Sequence, residues 1–159
     1  MVGYTNAVNL TDGLDGLAAG VTSVVCVFFA FCSIILKNDT MYLAVSVLGA
    51  LLGFLIFNYY PAKIFMGDTG SLFLGGTLSI LAILLKLELL FLLAGIVYVL
   101  EALSVVIQVS WYKKTKKRVF LMTPIHHHFE MLKMKETSIV GMFTAVALIA
   151  CILSAFAVI

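Results

Sequence analysis

Three short stretches of this chain hold residues whose types and spacing could do chemistry. The first is NAVNLTDGLDG, which places Asn6, Asn9, Asp12 and Asp15 close together. Asp12 and Asp15 lie three apart and can converge on one face of a turn, while Gly13 and Gly16 let the backbone tighten there. Such a cluster holds Mg²⁺ or hydrogen-bonds a polar ligand. Asp15 could equally serve as N-cap of a helix starting at Leu17. The second stretch, NYYPAKIFMGDTGS, runs from Asn58 to Ser71 and carries a lone acid, Asp68, between Gly67 and Gly70. Glycines at those positions permit close backbone approach, so N–H groups at a helix start there could face a phosphate. An N-cap at the membrane interface is the plainer reading of Asp68. The third is TPIHHHFE, with His126, His127 and His128 adjacent in a long polar loop. Zinc usually wants ligands spaced by several residues. Phosphate contact therefore ranks above a transition metal for these imidazoles.

The elements that must position these residues are apolar. Hydrophobic residues make up 63% of the chain and charged residues 11%, with a mean hydropathy of +1.16. An average soluble domain has about 25% charged residues, so this composition belongs to a membrane-embedded helical protein. The net charge of +2 excludes a nucleic-acid binder driven by bulk charge. Five apolar runs are long enough, or nearly so, to cross a bilayer: Leu17–Leu36, Met41–Tyr60, Ser71–Leu85, Leu89–Trp111 and Ile139–Ile159. No strand-like alternation is present, so the predicted fold is all-α and polytopic, one integral membrane domain over residues 1–159. The third run is short. Counting back roughly 20 residues from Leu85 reaches Met66, which would start that helix beside Asp68 and sink the acid into the membrane leaflet. Cys26, Cys32 and Cys151 sit inside apolar runs and read as small buried hydrophobes.

Five crossings put the segment before Leu17, the Asn58–Gly70 loop and the Tyr112–Thr137 loop on one side. That side holds Lys63, Lys113, Lys114, Lys116, Lys117, Arg118, Lys133 and Lys135, while Lys37 and Lys86 fall on the other. The basic excess marks the decorated face as cytoplasmic. The run Lys113–Arg118 reads chiefly as a topological anchor with attraction to anionic lipid. Glu101, Ser104 and Gln108, at i, i+3 and i+7, form a polar stripe on the fourth span. An acid inside a membrane span points to function, and a buried interhelical hydrogen bond is the equal alternative for Glu101. A transporter would keep its coupling site near the midplane, whereas these motifs cluster on one face.

Together the strings NAVNLTDGLDGLAAG, FNYYPAKIFMGDTGSLFLGG and TPIHHHFE resemble the polyprenyl-phosphate hexosamine-1-phosphate transferases. The triple histidine preceded by TPI points to the muramoyl-pentapeptide branch. The resemblance implies transfer of phospho-MurNAc-pentapeptide from UDP-MurNAc-pentapeptide to undecaprenyl phosphate, giving lipid I and UMP, with Mg²⁺ as cofactor. It implies a bacterial plasma membrane location with the active face cytoplasmic, and leaves room for a homodimer. By motif position, Asp68 would be the Mg²⁺ ligand, and Asp12, Asp68 and His127 the catalytic set. Asp12 and Asn9 would line the polar cleft. Asp15 and Asn58 would lie near the uridine, with Phe65 stacked on the uracil. His127 and His128 would contact phosphate or sugar, and Gln108 would face the nucleotide pocket. Asn6, Gly67 and His126 complete the implied substrate-binding set. A sister enzyme using UDP-GlcNAc shares the first two motifs, and a non-enzymatic binding module is a further alternative. The family has about ten spans, so the five here correspond to its C-terminal half. The sequence contains no Asp-Asp pair, which the family carries in an earlier loop. The chain is therefore expected to be a fragment, inactive alone.

Overall fold

The computed structural model describes Met1–Ile159 as eight helices without a strand. They are α1 (Val2–Thr11), α2 (Leu17–Ile35), α3 (Thr40–Asn58), α4 (Gly67–Leu84), α5 (Glu88–Ala94), α6 (Ile96–Thr115), α7 (Ile125–Met131) and α8 (Glu136–Phe156). Five of them, α2, α3, α4, α6 and α8, have the length and apolar composition to cross a membrane. The all-α, five-span expectation therefore stands. α4 starts at Gly67, so the short third run does extend back beside Asp68.

α2 is the central helix. It packs against α3 on one side and α8 on another, and also meets α4. Small residues such as Ala18, Ala19 and Ser23 are buried along it and let neighbouring helices approach closely. A shared hydrogen bond between the hydroxyls of Thr22 and Tyr98, 2.9 Å, ties α2 to α6 inside the core. Helix α3 is the opposite case, leaving side chains such as Leu52 and Ile56 exposed along its length. Apolar surface of that kind suits a hydrocarbon environment.

Three elements differ from the sequence reading. The segment before Leu17 is largely helix rather than a surface turn. Ala7, Val8 and Thr11 are buried, and α1 lies against α4 and α6. Gly75 makes the α1–α4 contact close, since a Cβ there would sit 2.6 Å from the Cα of Thr5. Asn9 meets the first turn of α4 while Thr5 meets Gly75 two turns further along, so the two helices run antiparallel.

The fourth run is broken at Gly95 into α5 and α6. Tyr4 stacks on Phe91 at 4.1 Å between centroids, and its hydroxyl donates to the Phe91 carbonyl at 2.9 Å. A Cβ at residue 95 would fall 2.9 Å from that carbonyl oxygen and 3.2 Å from the Tyr4 ring, so the break occurs where only glycine fits. Finally, the three histidines lie on α7, not in a loop. Successive residues on a helix point in different directions, and the three imidazoles accordingly have three different surroundings.

Candidate active site

The turn after α1 leads into α2 through Gly16, which takes a left-handed conformation with φ +78. Gly16, not Asp15, occupies the N-cap position, and this frees the Asp15 side chain. Asp15 Oδ2 accepts from the Ala62 N–H at 2.8 Å. Its own backbone N–H donates to Glu136 Oε1 at 2.7 Å. Asn58 works beside it: its Oδ1 accepts from the Gly16 N–H at 3.1 Å, and its Nδ2 donates to the Ile64 carbonyl at 2.9 Å. These two side chains clamp the 58–64 segment against the Asp12–Gly16 turn. The first two motifs are thereby locked together.

The clamp forms a cleft of about 210 Å³ lined by Asp12, Gly13, Asp15, Asn58, Phe65 and Gly67 among others. Phe65 lines the cleft and is 74% exposed. Asp68 lies in the first turn of α4, where the helix dipole favours a negative charge. Asn9 Nδ2 donates to Asp68 Oδ1 and to Ser71 Oγ, each at 2.9 Å. Partial burial and the nearby charge of Asp68 raise the Asp12 carboxyl to about 6, and the backbone of Gly67 partly opposes the rise. The negative charge of Asp68 adds to the burial that disfavours a charged Asp12, and a cation bound nearby would oppose both effects.

The third motif touches this cleft from behind. His126 is fully buried and its Nε2 lies against Gly13, where a Cβ would be only 2.2 Å away. The side chain expected to bind substrate therefore has no accessible face, because α7 turns it inward. His127 is partly exposed; its Nδ1 pairs with Glu130 and its ring lies 4.1 Å from that of His126. His128 Nδ1 accepts from the Leu121 N–H at 3.2 Å. Gln108 also differs from expectation. Its Oε1 accepts from the N–H groups of Val119 and Phe120, and its Nε2 donates to the Phe120 carbonyl. The amide is committed to holding the 118–121 segment and does not face the cleft. Asn6 is exposed on α1 and makes no side-chain hydrogen bond. Ser71 and Glu136 were not singled out from sequence. Ser71 closes the second motif one turn after Asp68, a spacing that could have indicated it.

Comparison with known proteins bears on this arrangement. Residues 1–86, which contain Asn9, Asp12, Asn58 and Asp68, match the family model for glycosyl transferase family 4. The chain belongs to glycosyl transferase family 4. It is similar to the phospho-N-acetylmuramoyl-pentapeptide-transferase of Acetivibrio thermocellus, 53% identical over 99% of this chain and 48% of that protein. The enzymes of the same name from Carboxydothermus hydrogenoformans and Clostridium beijerinckii are 51% and 53% identical over 98% and 94% of the chain. The chain spans about half the length of the curated relatives it matches. All three relatives are bacterial transferases by name.

The donor set suits one particular kind of ion for a family 4 glycosyl transferase. No group of three or more His, Cys, Asp or Glu side chains converges here. Mg²⁺ asks for less, because it is commonly held by one or two carboxylates and completes its shell with water and substrate phosphate. Asp12 and Asp68 offer two carboxylates with hard oxygen donors, which fits that description.

Proposed function

We propose that this chain carries the metal and nucleotide cleft of a phosphoglycosyl transferase that moves phospho-MurNAc-pentapeptide from UDP to undecaprenyl phosphate, giving lipid I and UMP. The observation that supports this most is the meeting of Asp12 and Asp68. The two residues lie more than fifty positions apart in the chain, and Asn9 and the Asp15–Asn58 clamp hold their segments together. The likeness to the named transferases along nearly the whole chain supports the substrate class.

Phosphoryl transfer asks a protein chiefly for alignment and charge neutralisation. Asn9 orients the Asp68 carboxylate by engaging Oδ1. Backbone N–H groups in the first turn of α4 add positive potential on the same side. Mg²⁺ held by Asp68 and Asp12 would neutralise the pyrophosphate charge. Below a pH of about 6, Asp12 holds a proton at its carboxyl; above it, that carboxylate carries its charge. The exposed ring of Phe65 would offer a surface for the uracil, and His127, partly exposed, would meet phosphate or sugar. The lipid acceptor would arrive along the apolar faces of the spans, so its phosphate reaches the cleft without leaving the membrane. The basic residues that share a side with Asp68 make that face cytoplasmic in a bacterial plasma membrane.

The test is equilibrium binding to the purified chain in phospholipid nanodiscs. UDP-MurNAc-pentapeptide should bind in a Mg²⁺-dependent manner, and D68N should remove that dependence. Binding indifferent to both would overturn the reading. Displacement by UDP-GlcNAc as effective as by UDP-MurNAc-pentapeptide would move the assignment to the sister transferases.

A further inference from the structure

Two buried polar atoms take no part in the cleft described above. Glu101 on α6 and His126 on α7 are both fully buried, and His126 Nδ1 is bonded to Glu101 Oε2 at 3.0 Å. Glu101 Oε1 and His126 Nε2 have no hydrogen-bond partner. Burying an acid and an imidazole in this half-satisfied state is unfavourable, and apolar residues of similar volume commonly serve stability better. The pair therefore calls for a reason beyond holding α6 to α7.

Its position supplies one. The unpartnered Nε2 is aimed at the backbone of Gly13, so close that any side chain at residue 13 would collide with the ring. Gly13 follows Asp12 directly and lines the cleft. The three adjacent histidines thus divide their work: His127 turns to Glu130, His128 to the Leu121 N–H, and His126 to Gly13 of the first motif. A histidine's ring orientation is set by the bond its other nitrogen makes. Here that bond is to Glu101.

We propose that Glu101 and His126 are positioning residues for Asp12: the carboxylate on α6 fixes the imidazole, and the imidazole sets the Gly13 backbone so that Asp12 faces Asp68. The metal part of this inference rests on the cleft reading above, whereas the placement of the turn does not. The amides of Asp15 and Gly16 report on that turn, because each is hydrogen-bonded only while the turn stays against Glu136 and Asn58.

The experiment compares E101L, E101Q and H126N with the unaltered chain in nanodiscs. E101Q keeps an oxygen to accept from Nδ1–H. E101L keeps the bulk and loses the acceptor. H126N keeps a donor toward Glu101 and lacks the nitrogen that meets Gly13. Hydrogen exchange at residues 13–16 should rise roughly tenfold in E101L and H126N and stay near the original rate in E101Q, with α2 and α8 unaffected. Mn²⁺ affinity, read by electron paramagnetic resonance, should fall about tenfold in the same two variants, the lower end of what loss of a supporting partner costs a metal site. Unchanged exchange at 13–16 in E101L overturns the proposal. So does faster exchange spread through α2 and α8 with no rescue by E101Q, the mark of a purely structural pair. If the unaltered chain binds no Mn²⁺, the cleft reading fails, and the exchange rates still decide the positioning role.

Discussion

Asp12 carries the clearest electrostatic signature in the site. Its carboxyl is raised from 3.8 to about 6, first by burial and then by Asp68. The sign of the consequence follows from linkage. Between these two values the folded chain binds more protons than the unfolded one, so stability falls as pH rises through this window and levels off above about 6. Thermal unfolding followed by circular dichroism, with a chelator present, should show this decline, and D12N should flatten it. A profile for D12N that still declines between pH 4 and 6 would place the effect elsewhere. Asp12 and Asp68 were legible in the sequence as candidates, because each acid adjoins a glycine near the end of an apolar run, although an N-cap was the plainer reading of Asp68. The uses of Asp15, Asn58 and Gln108 were not. All three spend their side chains on backbone groups of neighbouring segments, and such partners are set by loop conformation, which residue type alone does not reveal.

At the scale of elements, the helix that matters most to the site is α1. It brings Asn9 to Asp68, yet it is short and follows no strong apolar period, so hydropathy reading passed over it. Its seat is Gly75 on α4, where the backbone of Thr5 occupies the space of a Cβ. G75A should push α1 away and cost about 1–3 kcal/mol, the usual range for overpacking, with loss of Mg²⁺ dependence in nucleotide binding. Denaturant unfolding of the variant measures the first and the nanodisc binding assay the second; a variant as stable as the original would show that the contact yields freely. The break at Gly95 was hidden for a related reason. A glycine inside an apolar run is compatible with an unbroken span, and only the Tyr4–Phe91 stack decides against it. The long spans α2, α3 and α8 were legible because length and hydropathy alone define a crossing.

Across the whole molecule, three distant motifs are gathered at one end of a bundle organised around α2. The sequence carried this through the charge bias: eight basic residues fall on the side of Asp68, with only Lys37 and Lys86 opposite. Thiol labelling of single cysteines should reproduce that division. D68C, H127C and K116C should react with an impermeant reagent from one side of sealed vesicles, and K37C from the other. The native cysteines Cys26, Cys32 and Cys151 are buried and contribute little background. Labelling of D68C and H127C from opposite sides would dismantle the site as described.

The central claim is that Asp12 and Asp68 act as one unit. A double-mutant cycle on Mg²⁺-dependent UDP binding tests it most directly, using D12N, D68N and the doubly substituted chain. If the two carboxylates share a cation, either substitution alone removes most of the Mg²⁺ dependence and the second adds little. Two independent losses that simply add would show that the acids serve separate sites.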